Sequence, residues 1–149
     1  MTDLRVTADA NVLASGSIRH RLDAAPVRFV ESWRRGNFSL VLSDAILAEV
    51  ARTLAGPYFT QRLSVDDRAA YHQLLLSRAA ITPITSPVSG IASHPEDDLI
   101  LATALSGGAN FLVTGDYKLL ELREYQGLLL VTAREFLAIL PGFSRAEKI

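Results

Sequence analysis

The chain has no cysteine, which excludes a disulfide framework, a thiolate zinc site and a thiol nucleophile and leaves no sign of an oxidising compartment. A cytoplasmic setting is expected. Histidine is scarce: His20, His72 and His94 stand too far apart for any pair to have the helical spacing of a zinc motif, and each reads as a surface or loop residue. Neither a P-loop nor a glycine-rich strand-to-helix fingerprint occurs, so no organic cofactor is implied. No run approaches the roughly 18 consecutive apolar residues needed to cross a bilayer. The opening MTDLRVTAD also lacks the basic segment and apolar run of an export signal. No membrane partner is expected.

Repeats, low-complexity tracts and linkers are absent too, and 149 residues with 49% hydrophobic content suit one domain, 1–149, with its own core. The net charge of −1 carries no global basic signal for a nucleic-acid partner. Its distribution says more. If Asp9, Glu49, Asp97 and Asp116 form one site, the rest of the chain carries +3, with 13 Arg against 2 Lys supplying the positive side. Arginine suits bidentate phosphate contacts, although genome composition enriches it equally well.

Short runs rich in Val, Leu and Ile alternate with longer helical patterns, which predicts an α/β fold with a mostly parallel sheet of four or five strands covered on both faces. The first strand is Leu4 to Ala8, ending at Asp9, with a helix from Asn11 to Ser15. Pro26 opens a second helix through Phe29, Val30 and Trp33, and Gly36 is its stop. Phe38 to Leu42 reads as a strand, and Ser43 and Asp44 are N-cap residues for the helix through Ile46, Leu47, Val50 and Leu54, which Gly56-Pro57 ends. Ser64 with Asp67 opens another helix, followed by a short strand from Ile81 to Ile84 and a polar loop from Pro83 to Pro95. The next helix runs from Pro95 to Gly107-Gly108 and leads into the strand Phe111 to Thr114. Leu128 to Val131 makes the last strand, and a capping box of Thr132 and Glu135 starts a final helix that Pro141-Gly142 terminates.

Asp9 and Asp116 both follow strands, and ligands of open parallel sheets bind beyond the carboxyl ends of strands where the strand order reverses. The two acids can therefore share one crevice, although an Asp in either place serves equally well as a helix or turn cap. Glu49 borders the buried face of its helix, and on pattern alone pairing with Arg52 explains it better than a site does. Asp97 and Asp98 open a nearly all-apolar helix, where the helix dipole favours acids whatever their function. Asp97 shares a row with Ile100, Leu101 and Ala104, and Asp98 with Ala102 and Leu105, so periodicity does not separate them.

The acids form a joint pattern: one after a strand, one within a helix, one opening a helix, and one after another strand. VTADANVL at Val6 to Leu13, LSDAILAEVARTL at Leu42 to Leu54, PEDDLILATAL at Pro95 to Leu105 and FLVTGDYKLL at Phe111 to Leu120 together resemble the PIN-domain family. The spaced blocks HPEDDLILATAL and ANFLVTGDYKLL look like the toxin-like PIN proteins of toxin-antitoxin systems. The resemblance implies a PIN-like three-layer fold and metal-dependent hydrolysis of RNA phosphodiester bonds. It also implies metal-binding acids at Asp9, Glu49, Asp97 and Asp116, with Asn11 and Thr114 in support. Asp97 is preferred because its distance to Ala104 matches the family pattern, with Asp98 as a substitute. Ala10 departs from the pattern, since the family usually has Thr or Ser between the Asp and the Asn.

Clustered carboxylates suit hard divalent cations such as Mg²⁺ or Mn²⁺, which prefer oxygen ligands. The implied partners are an RNA substrate, a separately encoded antitoxin and a second copy of the chain in a homodimer. Three rival readings stand beside this one: a phosphatase with Asp9 as nucleophile, a phospho-accepting signalling module, and a non-catalytic RNA- or antitoxin-binding domain. Asn11 and the lack of a well-placed Lys weigh against the first. The presence of all four acids weighs against the last.

Overall fold

The structure, a computed structural model, describes residues 4–148 and the side chains of residues 4–140. Its elements in chain order are β1 (Arg5–Ala8), α1 (Ala10–Ser15), α2 (Ala25–Arg34), β2 (Ser39–Leu42), α3 (Asp44–Leu54), α4 (Pro57–Thr60) and α5 (Val65–Arg78), followed by β3 (Ala80–Ile81) and α6 (Pro95–Ser106). The remainder is β4 (Phe111–Val113), α7 (Tyr117–Leu120), β5 (Glu124–Tyr125), β6 (Leu128–Val131) and α8 (Ala133–Lys148).

The strands form one sheet in the order β3-β2-β1-β4-β6-β5. All neighbours are parallel except β5, which returns antiparallel along β6. From β1 the chain builds outward through β2 to β3, then crosses back to β4 on the other side. The reversal therefore falls between β1 and β4, where the carboxyl ends of adjacent strands diverge and leave a crevice. Ala8 lies opposite Val113, so the chain leaves both strands at the same level and enters the crevice with Asp9 and Thr114.

Helices cover both faces of the sheet. On one face a large core joins β1 and β2 to Leu13, Phe29, Trp33, Val50, Leu75 and Phe136 from the surrounding helices. On the other, Leu101 and Ala104 of α6 pack with Leu112, Leu119, Leu128 and Leu130. The central strands are buried on both sides, which is why they read as continuous apolar runs rather than alternating ones. Gly107 allows α6 to approach β2, since a Cβ there would lie 2.2 Å from Val41 Cγ1. Gly108 takes the left-handed conformation at φ +68°, turning the chain toward β4.

Locally encoded helix starts are found where the sequence puts them. Ser43 caps α3. Ser64 and Asp67 form a complete capping box on α5, and Thr132 and Glu135 exchange their hydrogen bonds at the start of α8. Some expectations need correction. The sheet has six strands, because the pair Glu124–Tyr125 adds a short edge strand, and β3 is only two residues long, Ala80–Ile81. Pro141-Gly142 falls inside α8 rather than ending it; an interior proline costs a ladder hydrogen bond and a ring clash with the carbonyl four residues back, which can kink a helix without ending it. His72 is half-buried on α5 within reach of the Leu47 carbonyl, at 3.2 Å from its Nε2. Apolar packing between α3 and α5 holds it there.

Candidate active site

Asp9 is the first residue beyond β1. Its backbone N–H still donates to the Val113 carbonyl at 3.1 Å, continuing the ladder by one rung. Its side chain caps α1, with Oδ1 accepting from the Val12 N–H at 2.8 Å, while Oδ2 accepts from the Thr114 hydroxyl. Thr114 is fully buried. Its Oγ1 also accepts the Asp116 N–H at 3.1 Å, so one hydroxyl fixes the carboxylate after β1 and the backbone after β4. Asp116 in turn caps α7, its Oδ1 accepting from Lys118 N at 2.9 Å and Leu119 N at 3.3 Å. The capping role that competed with a site role in the sequence is present at both positions, alongside their convergence on one crevice.

Asp9, Asn11, Glu49, Asp97 and Asp116 all line a single open cleft of about 550 Å³. Asp97 reaches it from the first turn of α6, and Glu49 from the middle of α3. Arg52 holds Glu49, with Nε 2.8 Å from Oε1. Glu49 therefore pairs with Arg52 and at the same time lines the cleft. Sequence reading missed Glu96, a further acid on the cleft wall. The signal was the run of three acids, Glu96, Asp97 and Asp98, in the first turn of α6, which the helix dipole explained without calling for a cleft.

The structure separates Asp97 from Asp98. The Asp98 carboxylate is buried and accepts three backbone N–H groups, from Gly90 at 3.0 Å, Ile91 at 3.2 Å and Ala92 at 2.7 Å. It ties the loop between β3 and α6 to the helix and is turned away from the cleft. Asp97 carries no such tether.

Two of these carboxylates, Asp9 and Asp97, resist ionisation. Burial raises the pKa of Asp9, which is only 7% exposed, and the charge of Asp116 adds to the rise, against hydrogen bonds from Thr114, Val12 and Gly115. Asp97 is raised first by desolvation and then by the charge of Asp116, with Asp9 and Glu96 contributing and His94 opposing. The cleft thus concentrates negative charge that is only partly compensated.

A divalent cation would relieve this charge, and the donor set suits a hard one, being all oxygen with neither thiolate nor imidazole on the cleft wall. Among the described residues no group of three or more His, Cys, Asp or Glu side chains is already gathered closely enough to hold a metal ion by itself. Mg²⁺ does not require one: it usually takes one or two carboxylates and completes its shell with waters and substrate phosphate.

A mostly parallel sheet carrying clustered acids at the crevice where its strand order reverses places this chain among the α/β proteins, a class whose ligands bind at the carboxyl edge of the sheet. The chain matches the PIN domain model over residues 5–118 and belongs to the PIN-domain family, whose members are generally nucleases. Among solved structures it is similar to VapBC2 from Rickettsia felis bound to a DNA fragment from its promoter. The identity there is 18%, covering 85% of this chain and 97% of that one, with a TM-score of 0.57. It is also similar to PAE2754 from Pyrobaculum aerophilum, at 18% identity over 93% of this chain and 98% of that one, with a TM-score of 0.49. No curated protein matches the chain. At such identities the R. felis likeness speaks to the fold, which is the PIN fold. No helix among the described residues is long and apolar enough to cross a membrane.

Proposed function

We propose that the protein is a divalent-metal-dependent ribonuclease, the toxin component of a toxin-antitoxin pair. The observation that carries this is the meeting of Asp9, Glu49, Asp97 and Asp116 on one cleft at the strand-order reversal of a chain belonging to a family of nucleases. Asp9, Asp97 and Asp116 are the residues that would hold Mg²⁺ or Mn²⁺, with Glu49 as a further ligand or as the group that orients water. When bound, the cation supplies positive charge for the phosphoryl oxygens and the departing oxygen.

The chain's own part is positional. Thr114 donates to Asp9 and accepts from Asp116 N–H, holding two strand ends in one register, as supporting groups around a metal ordinarily do. The Arg52 contact limits where the Glu49 carboxylate can swing. Asn11, exposed on the cleft wall, offers an amide to the substrate backbone. RNA as substrate, an antitoxin partner and a homodimer follow from the resemblance to toxin-like PIN proteins. The VapBC2 neighbour, a complex on promoter DNA, supports the antitoxin partner.

The test is cleavage of a mixed pool of labelled RNAs by purified protein with Mn²⁺ or Mg²⁺, beside EDTA and an Asp9→Asn/Asp116→Asn control. Metal-dependent cuts absent from the control are expected. A wild-type protein that binds metal yet cuts nothing in a broad pool would favour a non-catalytic RNA- or antitoxin-binding role.

A further inference from the structure

Beside the acidic cleft lies a smaller cavity of about 140 Å³ between α3 and α6. Its walls are aliphatic: Ala45, Ile46 and Ala48 from α3, Leu99 and Ile100 from α6, and Ala10 from the start of α1. The cavity persists because three of these side chains stop at Cβ. Ala10, Glu49, Glu96 and Ile100 also border the acidic cleft, so the two spaces are neighbours with shared walls. Ala10 is the position where a Thr or Ser would place a hydroxyl on that boundary; here the wall is a methyl group. Leu99 stands 44% exposed among these walls. Arg52, whose side chain is 70% exposed and held to Glu49, also lines the cavity.

We propose that this cavity is a nucleobase subsite, taking one unpaired base of the RNA beside the phosphate engaged at the acids. The inference rests on the ribonuclease reading. Aliphatic walls on two helices offer surfaces for the faces of a planar ring, and Arg52 offers a guanidinium on which a base can stack. Glu96, on the wall shared with the cleft, adds an acceptor for its edge. The volume is well below the ~300 Å³ at which drug-sized ligand pockets begin, so it suits a single ring system rather than a larger ligand. A base enters only when unstacked, which directs the enzyme to single-stranded segments and makes the residue lining the cavity a determinant of which base flanks the cut.

The test uses the full chain with Mn²⁺ and a set of short single-stranded RNAs differing at one nucleotide beside the cut, together with the same RNA abasic at that position. Ala48 is exposed on α3, so Ala48→Phe fills the cavity from outside the core. Ala48→Met serves the same end if the phenylalanine variant melts early. Wild-type protein should prefer one base, and filling the cavity should erase that preference and lower kcat/KM on the preferred RNA by about tenfold or more, the order of one lost base-stacking contact. The abasic RNA should be cut equally by both proteins. Unchanged preference in a folded variant overturns the subsite alone. Equal loss on intact and abasic RNA also overturns it, pointing to a space that serves a protein partner or the chain itself. No cleavage of any RNA by the unaltered protein overturns the ribonuclease reading and the subsite together.

Discussion

The two ends of the central sheet are built on opposite terms. At the amino ends of β2 and β4, Phe38 and Phe111 meet Phe29 and Phe136 with ring centroids 5.0 to 5.6 Å apart, tilted or edge to face, the arrangements that aromatic quadrupoles favour. Every partner in that cluster gains from the others. Around the carboxyl ends of β1 and β4, burial and then the charge of Asp116 raise the cost of ionising Asp9 and Asp97. One end stabilises the fold and the other carries electrostatic strain that a cation can relieve. Residues at the first should matter to stability whatever the metal, and residues at the second should matter to activity with little loss of stability.

The largest effect expected is at the aromatic end. Phe136 is fully buried, and Phe136→Ala should lower the unfolding free energy by about 3 to 5 kcal/mol, read by urea denaturation in EDTA. A loss under about 1 kcal/mol would remove the aromatic cluster as the stabilising pole.

Asp116→Asn should lower metal-dependent cleavage by more than about 100-fold, beyond the usual effect of a supporting residue around a metal, while its melting temperature in EDTA equals or exceeds that of wild type. It should also lose most of the Mn²⁺-induced rise in melting temperature that binding linkage gives the wild-type protein. Wild-type cleavage would take Asp116 out of the mechanism.

A smaller loss, about tenfold to 100-fold in cleavage, is expected for Thr114→Val, which keeps the shape but removes the hydroxyl joining Asp9 to the Asp116 backbone. Because the acids remain, tighter metal supply should not fully restore it. Recovery to the wild-type rate at saturating Mn²⁺ would reduce Thr114 to an aid in metal binding.

The subtlest effect is on pH dependence without metal. Asp9 and Asp97 titrate above their ordinary range when folded, so between the ordinary and raised values the native state holds protons that the unfolded chain has released. Their contribution therefore makes stability fall as pH rises through that window. Asp9→Asn should flatten this share of the slope, and added Mn²⁺ should oppose it. A steeper fall in the variant would contradict the burial and repulsion that raise Asp9 at the cleft.

What could be read from the sequence follows the range of the interactions involved. Caps at Ser43, Ser64 and Thr132 depend on residues three positions away, and helix starts at these places are where local pattern puts them. Asp9 and Asp116 were linked by a topological rule rather than by a contact, and they share a cleft because the strand order reverses between β1 and β4. Asp97 and Asp98 were beyond such reading. What separates them is a loop that folds back to give Asp98 three N–H donors, an arrangement that helical periodicity does not encode. β5 escaped notice because its two residues are too few to show alternation; its turn is made by Gln126 and Gly127 at positive φ.

The same brevity has a bearing on self-association. Both borders of the sheet are two-residue strands, β3 and β5, so neither offers the row of free backbone donors and acceptors on which another chain's strand could align. In the folded protein, pairing of two copies by extension of one sheet into the next is therefore disfavoured, and so is edge-to-edge growth of sheets from molecule to molecule.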